Sequence, residues 1–124
     1  MQIADPSAMR ALCIEDDIVI AMESKAVLEQ LGFGNIYVSF TYRDAKFVVE
    51  HNAFDVAILD VNLGGGRDTL DIARELVSRG TQVVFTSSFS FSRGLVSRLG
   101  IPILQKPLEF DELSALLKNL EFAR

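Results

Sequence analysis

The chain has 124 residues, 49% of them hydrophobic, which suits one compact domain around a single buried core. Seventeen acidic against twelve basic residues give a net charge of -5, which repels a polyanionic duplex and argues against nucleic acid as a direct partner. No apolar stretch approaches the ~20 residues that cross a bilayer, and the start lacks the basic-then-apolar order of a secretion signal, so a cytoplasmic protein without a membrane partner is expected.

Short apolar runs alternate with longer amphipathic segments, the pattern that places helices on both faces of a parallel sheet. Residues 1–8 read as a flexible lead and 9–124 as the domain. The first strand is predicted over 9–14, where Cys13, the only cysteine, reads as a buried thiol. A helix follows over 17–31, with Ile20, Ala21, Val27, Leu28 and Leu31 on its apolar face and Gly32 as its stop. A second strand at 36–40 leads to a short helix at 45–50, after which His51 reads as a surface residue. The nearly unbroken apolar run 54–59 suits a central strand buried on both faces. A third helix over 69–79 ends at Gly80 and precedes a fourth strand at 82–85. A fourth helix between Ser92 and Leu99 has a weak signal, because the serine and phenylalanine run before it has poor helix propensity. A last strand at 103–104 and a closing helix over 111–123 complete five pairs.

In open parallel sheets ligands bind beyond the carboxyl ends of the strands. Here those ends carry Glu15-Asp16-Asp17, Asp60, Thr86 and Gln105-Lys106-Pro107. Carboxylates crowded at one edge raise each other's pKa unless a cation sits among them, and hard oxygen ligands of this kind suit Mg²⁺. Lys106 offers a positive charge and Thr86 a hydroxyl for a bound phosphoryl group. Taken alone, Asp16 and Asp17 are equally readable as a helix cap and first-turn acids. Gly64-Gly65-Gly66 lacks the Gly-Lys-Ser/Thr of a phosphate cradle and reads as a flexible turn.

These fragments, each closing a predicted strand and in this order, resemble the response regulator receiver (CheY-like) family, in its single-domain type. The resemblance spans nearly the whole chain. It implies a flavodoxin-like, doubly wound five-stranded parallel sheet of order 2-1-3-4-5. It also implies that Asp60 is the phosphorylated carboxylate and that Glu15, Asp16, Asp60 and the Asn62 main-chain carbonyl serve the metal, Mg²⁺. Thr86 would follow the phosphoryl group, Lys106 would pair with it, and the Lys106-Pro107 bond would be cis. The implied partner is a sensor histidine kinase or histidine phosphotransferase, with a downstream protein responding to the added charge. Carboxylates are ionised at neutral pH, so such a transfer needs placement and charge neutralisation more than a base.

The chain departs from the family in three places. Gly64 stands where many receivers have proline, which loosens the following loop. Ile103 replaces an aromatic switch residue, and Phe89 and Phe91 stand where a regular fourth helix would begin, as candidates for a partner-binding face. Other readings are a receiver-shaped module that works without phosphate, a receiver segment of a hybrid kinase, and a hydrolase with an aspartyl-phosphate intermediate. The hydrolase would need an aspartate where Asn62 stands. A flavin protein of similar topology would need a phosphate loop where this chain has three carboxylates.

Overall fold

The computed structural model describes residues 6–63, 67–88 and 100–118. After a 3-10 turn at Pro6–Ala8, the chain runs β1 (Arg10–Ile14), α1 (Ile18–Gln30), β2 (Asn35–Ser39), α2 (Tyr42–His51) and β3 (Val56–Asp60). It continues through β4 (Asn62–Leu63), β5 (Arg67–Asp68), α3 (Leu70–Ser78), β6 (Gln82–Ser87), β7 (Ile103–Gln105) and α4 (Phe110–Lys118). β2, β1, β3, β6 and β7 form one parallel sheet in that order, which is the expected 2-1-3-4-5 once the small antiparallel pair β4/β5 is set aside. The helix predicted between Ser92 and Leu99 lies outside the described residues.

Alternation along the strands divides the core into two layers. Leu12, Ile14, Leu59 and Phe85 pack with Ala45 and Val49 of α2 and with Ile72 and Leu76 of α3. Ala11, Cys13, Ile58 and Val84 pack on the other face with Leu28 of α1 and Leu113 and Leu117 of α4. All five residues of β3 are buried, as its apolar run predicts for a central strand covered on both sides.

Local chemistry sets the helix ends. Asp17 caps α1 by accepting from the Ile20 amide at 3.1 Å. At its other end Gly32, with φ of 99°, lets the Gly32 and Phe33 amides reach back to the Glu29 and Leu28 carbonyls, a Schellman closure only glycine adopts without strain. The same closure ends α3, where Gly80 and Thr81 donate to Val77 and Leu76. α2 begins earlier than expected because Thr41 caps it, accepting from the Asp44 amide at 3.0 Å. Near the turn at the start of the chain, Gly34 is required by crowding, since a Cβ there would lie 2.5 Å from the Ser7 carbonyl oxygen.

Cys13 is buried in the α1/α4 layer, and its thiol is pushed up to about 12, chiefly by burial and next by the charge of Glu15. The native protein should therefore leave a disulfide thiol reagent unreacted at mildly alkaline pH and release one equivalent only after unfolding in guanidinium. Rapid reaction of the folded protein would contradict this placement.

Candidate functional site

The alternation that turns Cys13, Ile58, Val84 and the half-buried Leu104 to the α1/α4 face carries two residues further along each strand to Glu15, Asp60, Thr86 and Lys106. A period of two thus delivers four chemically active residues to one face at the carboxyl edge of the sheet. Asp60 and Thr86 are register partners, and Lys106 follows the end of β7, its amide donating to the Ser87 carbonyl at 3.0 Å. The Lys106-Pro107 peptide is cis.

The centre of the site is the Lys106 ammonium, whose Nζ lies 2.6 Å from Glu15 Oε1 and 2.8 Å from Asp60 Oδ2. Glu15 and Asp60 are only 3% and 5% exposed, so these charge-assisted bonds lie largely out of water. Each carboxylate is also held from behind. Glu15 Oε2 accepts from the Asp17 amide at 3.0 Å, and Asp60 Oδ1 accepts from the Asn62 amide at 3.2 Å. Burial pushes the Glu15 carboxyl above its ordinary range, against the pull of Lys106 and the Asp17 amide. Burial also works to lower the Lys106 pKa, but its bonds to Asp60 and Glu15 outweigh that and leave it raised.

The two acids after Glu15 divide the roles the sequence left open. Asp17 is the cap of α1, while Asp16 presents a carboxylate oxygen to the site. Oxygens of Glu15, Asp16 and Asp60 all lie within 4.8 Å of one another. Three carboxyl groups face one ammonium, and an oxygen-only donor set with that acidic excess matches a hard divalent cation such as Mg²⁺. An open cavity of about 310 Å³ gives access, lined by these acids with Asp17, Ile20, Asn62, Ser87, Ser88 and Lys106.

Thr86 stands apart from that lining. Its hydroxyl is 3.5 Å from the Leu59 carbonyl, a contact at the outer limit of a hydrogen bond. Ser87 and Ser88, which sequence reading passed over, line the cavity instead; the run Thr86-Ser87-Ser88 was the available signal. Also unforeseen is the closure after Asp60, in which Asn62 pairs with Asp68 and Leu63 with Arg67 around the glycine run. Gly64, Gly65 and Gly66 themselves, and Phe89 and Phe91, lie outside the described residues. His51 takes no part: it is exposed, stacked on Phe47, with Nδ1 2.8 Å from the Phe47 carbonyl. Ile103 packs against the α2/α3 layer and offers no aromatic switch.

Neither a protein-family model nor a curated protein matches the sequence. Solved structures do. The chain is similar to SdrG from Sphingomonas melonis Fr1, at 33% identity over 89% of this chain and 93% of that one, with a TM-score of 0.76. It is also similar to a response regulator receiver domain (CheY-like) from Methylobacillus flagellatus, at 24% identity, 91% and 98% coverage and a TM-score of 0.78. The response regulator TrrA from Thermotoga maritima, solved with Mg²⁺ and BeF, matches at 23% identity, 89% and 96% coverage and a TM-score of 0.76.

Replacing Lys106 with methionine would leave Glu15 and Asp60 facing each other without their shared cation, a loss of about 3 kcal/mol for a broken buried pair. Glu15 already sits above its ordinary 4.5, so its charge opposes folding at neutral pH, and losing Lys106 raises it further. The deficit of Lys106→Met in metal-free urea melts should therefore be largest near neutrality and shrink as pH falls through the raised Glu15 value. A deficit that stays constant over that range would contradict the pairing.

Proposed function

Because the chain belongs to the response regulator receiver (CheY-like) family, we propose that it is a two-component phosphoacceptor whose Asp60 takes a phosphoryl group from a histidine kinase or a histidine phosphotransferase. The observation that carries this reading is the buried Lys106 ammonium bridging Glu15 and Asp60, with the Asp16 carboxylate beside them.

An Asp60 carboxylate oxygen attacks phosphorus as the phosphorus–nitrogen bond of the phosphohistidine breaks. The electron pair leaves with the imidazole, which is protonated from solvent, and Asp60 carries an acyl phosphate. Lys106 and the Asn62 amide fix the carboxylate before attack, so that orientation is set before the donor arrives. Glu15, Asp16, Asp60 and the Asn62 carbonyl are the groups that would hold Mg²⁺, and the ion would supply neutralisation of the phosphoryl oxygens. The complex of TrrA with Mg²⁺ and BeF supports this choice of ion.

The acyl phosphate adds about one to two negative charges at the end of β3. Lys106 is drawn to the new group. The Thr86 hydroxyl, whose long contact with Leu59 gives up little, turns towards it. That local change is the signal passed to a partner protein. On this reading the protein is a signalling component of the cytoplasm that takes part in its own phosphorylation, and not a turnover enzyme.

Intact-mass analysis after incubation with acetyl phosphate tests the reading. Wild type with Mg²⁺ should gain one phosphoryl group, whereas wild type with chelator and Asp60→Asn with Mg²⁺ should gain none. A gain that survives in Asp60→Asn, or no gain in wild type under any condition, would overturn it.

A further inference from the structure

Resting on that reading, we infer that Thr69 is a positioning residue for the phosphoacceptor, holding through its hydroxyl and its amide the two peptide units that join Asp60 to Asn62. Thr69 stands at the start of α3, where a threonine hydroxyl ordinarily caps the helix by accepting from an amide of the first turn. Here it makes no such bond. Asp68 does that work from the preceding position, its Oδ1 accepting from the Leu70 amide at 3.2 Å. The released Thr69 hydroxyl, in a wholly buried side chain, donates to the Asp60 carbonyl at 2.7 Å and lies 3.4 Å from that of Val61.

The consequence appears when both peptide units are traced. In the Asp60-Val61 unit the N–H donates to the Thr86 carbonyl at 3.0 Å, and the carbonyl accepts from the Thr69 hydroxyl. In the Val61-Asn62 unit the N–H donates to Asp60 Oδ1, and the carbonyl accepts from the Thr69 amide at 3.1 Å. A peptide unit is planar, so a bond at each side fixes its tilt. Two units in succession are fixed, and Thr69 supplies one anchor of each. The first unit sets the direction of the Asp60 side chain. The second sets the Asn62 amide that orients the Asp60 carboxylate.

The antiparallel pair β4/β5 closes the loop that brings Thr69 back to this point, with Val61 and Leu63 buried beneath it. The direction of Asp60 is thus tied to a bond made beyond that closure. Thr69 is that bond.

A matched control exists in the same molecule. Thr81, also buried, donates its hydroxyl to the Phe54 carbonyl at 2.8 Å, ahead of the opposite ends of β3 and β6. Thr69→Val and Thr81→Val thus each remove one buried hydroxyl-to-carbonyl bond without changing side-chain shape. Phosphorylation by acetyl phosphate over a range of donor concentrations, together with calorimetric titration of Mg²⁺, separates positioning from stability. Thr69→Val should slow the rate at saturating donor by about tenfold while moving the half-saturating concentration by less than about twofold, and should weaken Mg²⁺ binding several-fold. Thr69→Ser should restore both, and Thr81→Val should match wild type in both. If Thr69→Val does not fold, Thr69→Ala is measured in its place. The inference is overturned if Thr69→Val phosphorylates and binds Mg²⁺ like wild type, if Thr81→Val is impaired equally, or if Thr69→Ser is as slow as Thr69→Val. In each of those cases wild type still takes phosphate at Asp60 and the proposed function stands; wild type that takes none sinks the function, and the role of Thr69 with it.

Discussion

A single ammonium group between two buried carboxylates is the constraint on which the site depends. Without Lys106, Glu15 and Asp60 would face each other a few ångströms apart in a poorly solvated notch, and one of them would take up a proton. With it, each has a cationic partner, and Asp16 adds a third carboxylate beside them. The site is therefore held together while carrying more carboxylates than its one ammonium can pair, which is the feature the proposed function rests on. That combination is what a reversible phosphoacceptor requires.

The fold creates this juxtaposition cheaply in sequence terms. Parallel strands that all end at the same edge, with side chains alternating between two helical layers, need only one suitable residue two positions beyond the last core residue on the α1/α4 face. Glu15 follows Cys13, Asp60 follows Ile58, Thr86 follows Val84 and Lys106 follows Leu104. The layers themselves are ordinary aliphatic packing, in which fully burying a leucine or phenylalanine contributes about 1.5 to 3 kcal/mol. Precision enters at the edge, where the Asp17 and Asn62 amides and the Thr69 hydroxyl fix what packing alone would leave free.

Much of this was legible in the residues, for physical reasons that differ from element to element. β3 is readable because burial on both faces leaves almost no polar positions, and α1 and α3 because glycine marks their ends. The meeting of the acidic triplet, Asp60 and Lys106 was readable because each closes an apolar strand, and parallel strands end at one edge. The start of α2 was missed although Thr41 and Asp44 are spaced as a cap, since the apolar face of that helix begins only at Ala45. The β4/β5 pair was not foreseen because two-residue strands leave no periodicity to detect. Thr69 was hidden for a related reason: a threonine before an apolar helical run reads as a cap, and only its position in space shows that its hydroxyl has gone to Asp60 instead. Residue types alone could not divide Asp16 from Asp17, because one residue of rotation decides which faces the helix and which the notch; only the family resemblance singled out Asp16.

The claim beneath the whole account is that the negative charge left over beside Lys106 is a cation site. Its most direct measurement is the anomalous difference map of crystals soaked in Mn²⁺, standing in for Mg²⁺. The account predicts one strong peak within coordination distance of carboxylate oxygens of Glu15, Asp16 and Asp60, with the Lys106 ammonium still at Asp60. A map without density there, or one in which the Asp16 carboxylate points away from Asp60, would contradict it.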